Sequence, residues 1–284
     1  DLTSRHGVPR YALDGAEHEA GFGIIAYGKL GGLELSYGSD LDIVFLHDSR
    51  GRRQSTDGDK PLDNGLFFGR LVRRLVHFLT MQTGSGQLYE IDTRLRPDGR
   101  SGLLVTSTEA FERYQEDNAW TWEHQALLRA RPVAGSPVIA DEFARIRRET
   151  LVGRVRRDAL RDDVISMRHR MRKNLDRSDD ALFDLKNGRG GIGDIEFLVQ
   201  FLVLGNAAEH PDVIFWSDNI RQLDALVAAG CIEQTDGDAL QDAYRAYRLR
   251  AHHLMLDERP PLVPQGEFAA KRELVAQKWD AWLG

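Results

Sequence analysis

Two aspartates one residue apart, Asp40 and Asp42, have the clearest capacity for chemistry in this sequence. They sit in Gly38-Ser39-Asp40-Leu41-Asp42, ahead of the apolar Ile43, Val44 and Phe45. Alternate residues of a strand share a face, so the two carboxylates lie side by side. In an apolar setting they repel each other, and a divalent cation resolves that repulsion. Magnesium suits such a place, because it takes a few carboxylates together with phosphate oxygens. A solvated strand end carrying two exposed acids has the same local pattern, so the pair alone does not decide. A dozen positions upstream, the apolar run Phe22 to Tyr27 enters Gly28-Lys29-Leu30-Gly31-Gly32. A strand that runs through such a turn into a short helix offers backbone N–H groups to an anion, and Lys29 adds a mobile positive charge. Glycines also serve tight turns on steric grounds alone.

Several elements must hold these residues in place. Phe22 to Tyr27 and Leu41 to Leu46 read as buried strands, Gln87 to Leu95 as a third strand with alternating character, and Leu103 to Thr106 as a fourth. Leu66, Leu71, Leu75, Phe78 and Leu79 recur at helical spacing, which predicts an amphipathic helix over 63–83. The stretch 108–129 reads as helical, with Trp120 and Trp122 expected in a core. After Pro137 the pattern becomes helical throughout: 138–176, then 194–204, 217–229, 236–256 and 267–283, with a glycine-rich loop at 187–193. No strand is expected beyond residue 180. The expected fold is α+β: a small mixed-sheet catalytic domain over 1–150, followed by an all-helical bundle domain over 151–284.

Composition narrows the function classes. The 284 residues are 42% hydrophobic and 29% charged, with net charge −6, an ordinary globular balance. The acidic excess and the absence of a basic strip argue against a nucleic-acid partner. One cysteine, Cys231, forms no disulfide framework and suits a reducing, cytoplasmic setting. No apolar run approaches the roughly 18 residues of a membrane span. The start at Asp1, without Met, suggests a fragment of a longer protein.

The turn, the Asp-Leu-Asp strand and their spacing resemble the polymerase-β-type nucleotidyltransferase superfamily. That resemblance implies a third carboxylate on a later strand. Asp92, in Tyr89-Glu-Ile-Asp-Thr-Arg-Leu-Arg-Pro97, fills the place, with Glu90 on the same face as a rival. Lys29 directly after Gly28 departs from the commonest form of the turn. Further motifs are similar to glutamine synthetase adenylyltransferase/adenylyl-removing enzymes. They are Tyr27-Gly-Lys-Leu-Gly-Gly32, Asp92-Thr-Arg-Leu-Arg-Pro97, Trp120-Thr-Trp-Glu-His-Gln-Ala-Leu-Leu-Arg-Ala-Arg131, Phe183-Asp-Leu-Lys-Asn-Gly-Arg-Gly-Gly-Ile-Gly-Asp-Ile-Glu-Phe197 and Trp216-Ser-Asp-Asn219. Members carry two similar halves, and the Trp-Thr-Trp-Glu-His form is similar to the C-terminal, AMP-attaching half.

The resemblance implies a magnesium-dependent transfer of AMP from ATP to a tyrosine of glutamine synthetase, a control on nitrogen assimilation. Asp40, Asp42 and Asp92 would bind two ions, and Asp92 could accept the tyrosine proton. Gly28, Lys29, Gly38 and Ser39 would cradle the phosphates. Arg94 and Arg96 meet phosphate or pair with a nearby acid such as Glu90. Lys186, on a loop that by resemblance faces the nucleotide, reaches phosphate or the substrate protein, while Asp194 reads as a first-turn helix acid. PII signalling protein and glutamine are the implied effectors of the full-length enzyme. The arginine-dense stretch from Arg145 to Arg172 reads as a solvated face. Two other readings stay open: phosphorolytic removal of AMP, and a regulatory module that binds a nucleotide or partner without chemistry.

Overall fold

The computed structural model describes residues 2–84 and 86–284. In chain order the elements up to residue 153 are α1 (Leu2–His6), β1 (Pro9–Leu13), β2 (Ala16–Glu19), β3 (Phe22–Ala26), α2 (Gly28–Gly31), β4 (Leu41–His47), β5 (Arg52–Thr56), α3 (Asn64–Leu79), β6 (Ile91–Asp92), β7 (Val105–Ser107), α4 (Thr108–Asp117), α5 (Thr121–Leu128), β8 (Arg131–Gly135) and α6 (Pro137–Gly153). Then follow α7 (Arg157–Leu175), β9 (Leu182–Asp184), α8 (Ile192–Asn206), α9 (Asn219–Ala228), α10 (Gln234–Leu256), β10 (Leu262–Pro264) and α11 (Ala269–Trp282). The chain divides into two compact units. One comprises Asp1–Ala119 and Arg129–Thr150; the other comprises Trp120–Leu128, which holds α5, and Leu151–Gly284. The architecture is α+β.

In the first unit β4 is the central strand. β3 runs antiparallel along one edge, from Phe22↔His47 to Ala26↔Ile43. Along the other edge two short strands lie parallel to it: β6 beside Leu41 and Asp42, and β7 beside Phe45 to His47. Flanked on both sides, β4 keeps an almost unbroken apolar run, with Ile43, Val44, Phe45 and Leu46 all buried. Phe45, Phe67, Phe68, Val72 and Val105 join Leu41 and Ile43 in the core beneath it. The helix expected over 63–83 is α3, and its start is set by Asp63, whose carboxylate accepts from the Leu66 N–H at 3.1 Å.

A second sheet, β2-β1-β5, was not anticipated. Its outer strands β2 and β5 are polar and mostly exposed, so they lack the apolar alternation that marks a half-buried strand. The signal for it was the turn: Asp14 and Gly15 both have positive φ, 51° and 83°, as a tight hairpin requires. The strand expected over 87–95 shrinks to Ile91–Asp92. Only these two residues register on β4; Leu88 is exposed, and the chain turns away after Asp92. The helix expected over 108–129 is broken into α4 and α5 at Asn118 to Trp120.

The second unit is helical except for β9 and β10, which pair antiparallel from Leu262↔Asp184 to Pro264↔Leu182. These strands correct the expectation of none beyond residue 180; at three residues each, one of them ending in proline, they are too short to show a period of two. The expectation for the two tryptophans is also corrected: Trp120, just before α5, is 62% exposed and Trp122, within it, 39%. The buried positions of α5 belong to Thr121, Glu123, His124, Gln125, Leu127 and Leu128. The arginine-dense stretch is not wholly a solvated face either. Arg168 is fully buried and its Nε donates to Asp194 at 2.6 Å, while Arg172 Nη2 donates to both Asp194 oxygens at 2.7 and 2.8 Å. Asp194, in the first turn of α8 as expected, also accepts from the Gly190 N–H at 2.7 Å and so ties the glycine-rich loop to α7. No helix among the described residues is long and apolar enough to cross a membrane.

Candidate active site

The site forms where β3, β4 and β6 meet. β3 ends at Ala26, and the Tyr27 N–H donates to the Asp42 carbonyl at 2.8 Å, which fastens the turn to the start of β4. Gly28 then adopts φ +52°, a left-handed conformation that favours glycine. A Cβ at this position would overlap Asp42 Oδ2 and stand 3.0 Å from its Cγ. The turn therefore lies directly against the carboxylate, and only a residue without a side chain fits there.

Asp42 and Asp92 are register partners in the parallel β4–β6 ladder. With Asp40 they place three carboxylate oxygens within 4.8 Å of one another. Asp92, rather than Glu90, completes this group; Glu90 lines the depression beside it. Three acids this close suit a hard divalent cation with oxygen ligands. The electrostatics are uneven. Burial, then the charges of Asp40 and Asp92, push the Asp42 carboxyl up to about 6. Asp92 is held below the ordinary carboxylate range, chiefly by Arg94. Arg94 donates to it from Nε at 2.6 Å and from its backbone N–H at 2.8 Å. Arg94 thus acts as countercharge to one acid while Asp42 holds its proton up to about pH 6, where a cation at the triad would displace it.

On the β3 side, Ser39 is buried and its Oγ accepts from the Ser36 N–H at 3.2 Å. Lys29 Nζ donates to the same Oγ at 3.4 Å. Gly38, with φ +64°, lets the chain turn before the strand. Gly28, Lys29, Gly38 and Ser39 are therefore gathered at one flank of the triad. On the β6 side, Asp40, Glu90, Ile91, Asp92, Thr93, Arg94, Arg96 and Arg100 line a depression of about 530 Å³. Arg96 braces the wall of this depression. Its Nη1 donates to the Thr93 carbonyl at 2.7 Å, Nη2 to the Arg100 carbonyl at 3.1 Å and Nε to the Gly102 carbonyl at 3.2 Å. Lys186 belongs to the second unit, where its side chain is exposed and its backbone N–H donates to Asp184 at 2.8 Å.

Three residues that support the turn were not singled out from sequence. Arg131 of β8 donates from Nε to the Gly31 carbonyl and from Nη2 to the Leu30 carbonyl, both at 3.0 Å, so it satisfies the carbonyls that end α2. Arg129 and Glu34 form a buried ion pair at 2.5 Å, and a Cβ on Gly32 would press on the Arg129 guanidinium. These partners are about a hundred positions apart, and no spacing rule joins them. Arg100 was also passed over, because it follows the strand in a turn with no pattern of its own.

A glycine-opened turn at a strand end, with three carboxylates beside it, is the equipment of a nucleotidyltransferase. Comparison with known proteins gives the family: residues 1–146 match the model of glutamate-ammonia ligase adenylyltransferase, and the chain belongs to that family. Residues 158–260 match a second model, GlnD PII-uridylyltransferase. The chain is 55% identical over 278 residues to the bifunctional glutamine synthetase adenylyltransferase/adenylyl-removing enzyme of Thioalkalivibrio sulfidiphilus (strain HL-EbGR7). It is 50% identical over 283 residues to the enzyme of that name from Nitrosococcus oceani, and 47% over 290 residues to that of Pseudomonas aeruginosa. These matches cover 98%, 99% and 98% of this chain, and 29% of each relative, so the chain spans less than a third of their length.

Proposed function

We propose that this chain transfers AMP from ATP to a tyrosine hydroxyl of glutamine synthetase. The observation that carries the reading is the carboxylate triad of Asp40, Asp42 and Asp92, built across the β4–β6 register directly against Gly28. Asp40, Asp42 and Asp92 would hold magnesium, two ions in this reading. When bound, such ions neutralise charge on the attacking and leaving oxygens of an in-line displacement. The Gly28–Gly31 turn, Lys29 and Ser39 orient the triphosphate, with N–H groups and one ammonium offsetting its charge. Asp92, kept ionised by Arg94, would accept the tyrosine proton. The free hydroxyl has a pKa of about 10, so it needs such help near neutral pH.

The relatives' name also covers removal of AMP, and the same acids would serve that chemistry, with phosphate attacking the AMP phosphorus, the tyrosine oxygen leaving and ADP as product. In the full-length protein, PII signalling protein and glutamine are the proposed effectors; the second-unit match to a PII-uridylyltransferase model supports a place in that signalling. The test is to incubate this chain with magnesium, α-labelled ATP and glutamine synthetase. Label on the synthetase supports attachment. Release of ADP from adenylylated synthetase on adding phosphate supports removal instead. Nucleotide binding with neither reaction would overturn both.

A further inference from the structure

The depression lined by Asp92 also carries Arg94, Arg96 and Arg100, and the orientation of the site gives these arginines a purpose. β4 has β3 on one edge and β6 on the other. The phosphate-cradling turn therefore lies on the β3 side of Asp42, and the depression with Arg94, Arg96 and Arg100 lies on the β6 side. In-line displacement at phosphorus puts entering and leaving groups on opposite sides. With pyrophosphate leaving toward the β3 turn, the acceptor enters over the β6 depression.

The three arginines there are not equivalent. Arg96 is fully engaged by the carbonyls of its own turn. Arg94 is largely exposed yet paired with Asp92. Arg100 is exposed and its side chain makes no hydrogen bond among the described residues, although its charge reaches Asp92. An unpaired guanidinium beside a paired one attracts a carboxylate, which guanidinium recognises in planar, two-pronged fashion.

Resting on the transfer reading above, we propose that this depression is the acceptor subsite. It selects a tyrosine flanked by acidic side chains, with Arg100 as the specificity-determining contact. Glu90, which also lines the depression, disfavours a second acid beside it, so the acidic neighbour of the tyrosine lies at Arg100.

The test compares R100E and R100Q with the unaltered chain in two measurements: binding of glutamine synthetase by interferometry across a salt series, and AMP transfer with ATP and synthetase varied separately. R100E should weaken synthetase binding and raise its KM roughly fivefold, as an exposed charge contact allows, and should flatten the salt dependence. R100Q should fall between, and the KM for ATP should stay where it was. Neutralising the acids next to the acceptor tyrosine should remove the difference between R100E and the unaltered chain. Equal synthetase binding by all three chains, or a KM for ATP that rises as much as that for synthetase, overturns the proposal. Weakened binding without any AMP transfer would keep the subsite and sink the transfer reading. Transfer that ignores Arg100 would do the reverse.

Discussion

Gly28 and Asp42 touch across the mouth of the site: a methyl group on the first would collide with the carboxylate of the second. G28A should therefore act in two ways. The left-handed φ of +52° costs an alanine about 1–2 kcal/mol, measurable by urea unfolding. The displaced carboxylate should lower transfer by about 100-fold, as misplacement on the scale of an ångström does. Loss of stability with full transfer would show that Asp42 does not need its present position.

D42N and D40N should leave the fold intact and lower transfer by at least about 100-fold, the scale set when one preorganised electrostatic contact is lost. D92N should do the same, while E90Q should retain most of the activity, because Glu90 stands outside the triad. An E90Q defect larger than that of D92N would exchange the roles of the two acids.

Proton release should accompany ion binding. Asp42 has its pKa raised to about 6, so near pH 6 about half of the metal-free molecules carry a proton there, and a bound cation must expel it. Calorimetry of magnesium binding in buffers of different ionisation enthalpy should detect that release near pH 6 and lose it by pH 8. For metal-free stability the sign follows from the raised value. The folded state holds the extra proton between the ordinary value and about 6, so this group's contribution falls as pH rises through that window. D42N should remove that trend.

His47 at the other end of β4 behaves in the opposite sense. Burial pushes its pKa down to about 4, and its ring stacks on Phe68 with centroids 5.0 Å apart. Between its ordinary value and about 4 the unfolded chain binds the proton and the folded chain does not, so stability falls as pH falls through that range. Between pH 7 and pH 4 the unaltered chain should lose about 3 kcal/mol more than H47Q. Parallel curves for the two chains would show that His47 does not set the acid limit.

The buried ion pairs should be costly to break from one side. E34A removes the Glu34 carboxylate from buried Arg129, and D194A removes the carboxylate shared by Arg168 and Arg172; each should cost about 3–5 kcal/mol in chemical unfolding. E34A should also raise the KM for ATP, because Arg129 packs against Gly32 in the turn proposed to hold the triphosphate.

What could be read from the sequence was what is local. Strand β4, the glycine turn and the Asp40–Asp42 pair follow from period, apolar run and backbone freedom within twenty residues. Choosing Asp92 over Glu90 required the β4–β6 register, which a two-residue strand does not announce. Arg129, Arg131 and Glu34 hold the turn through pairings across about a hundred residues, and such pairings leave no mark in spacing. Trp120 and Trp122 misled because size suggests burial, yet α5 turns smaller and polar residues inward.

The third carboxylate hangs on the shortest ladder in the sheet, the two residues Ile91 and Asp92, reached after a stretch in which Leu88 and Glu90 are exposed. Such an edge opens far more readily than the five-residue β3–β4 ladder beside it. Amide exchange at Ile91 and Asp92 should accordingly be fast in metal-free protein and slow markedly when magnesium is added, with β4 protected throughout. A cation held by the triad would then do more than serve chemistry: it would be the clasp on an otherwise loose hem of the sheet.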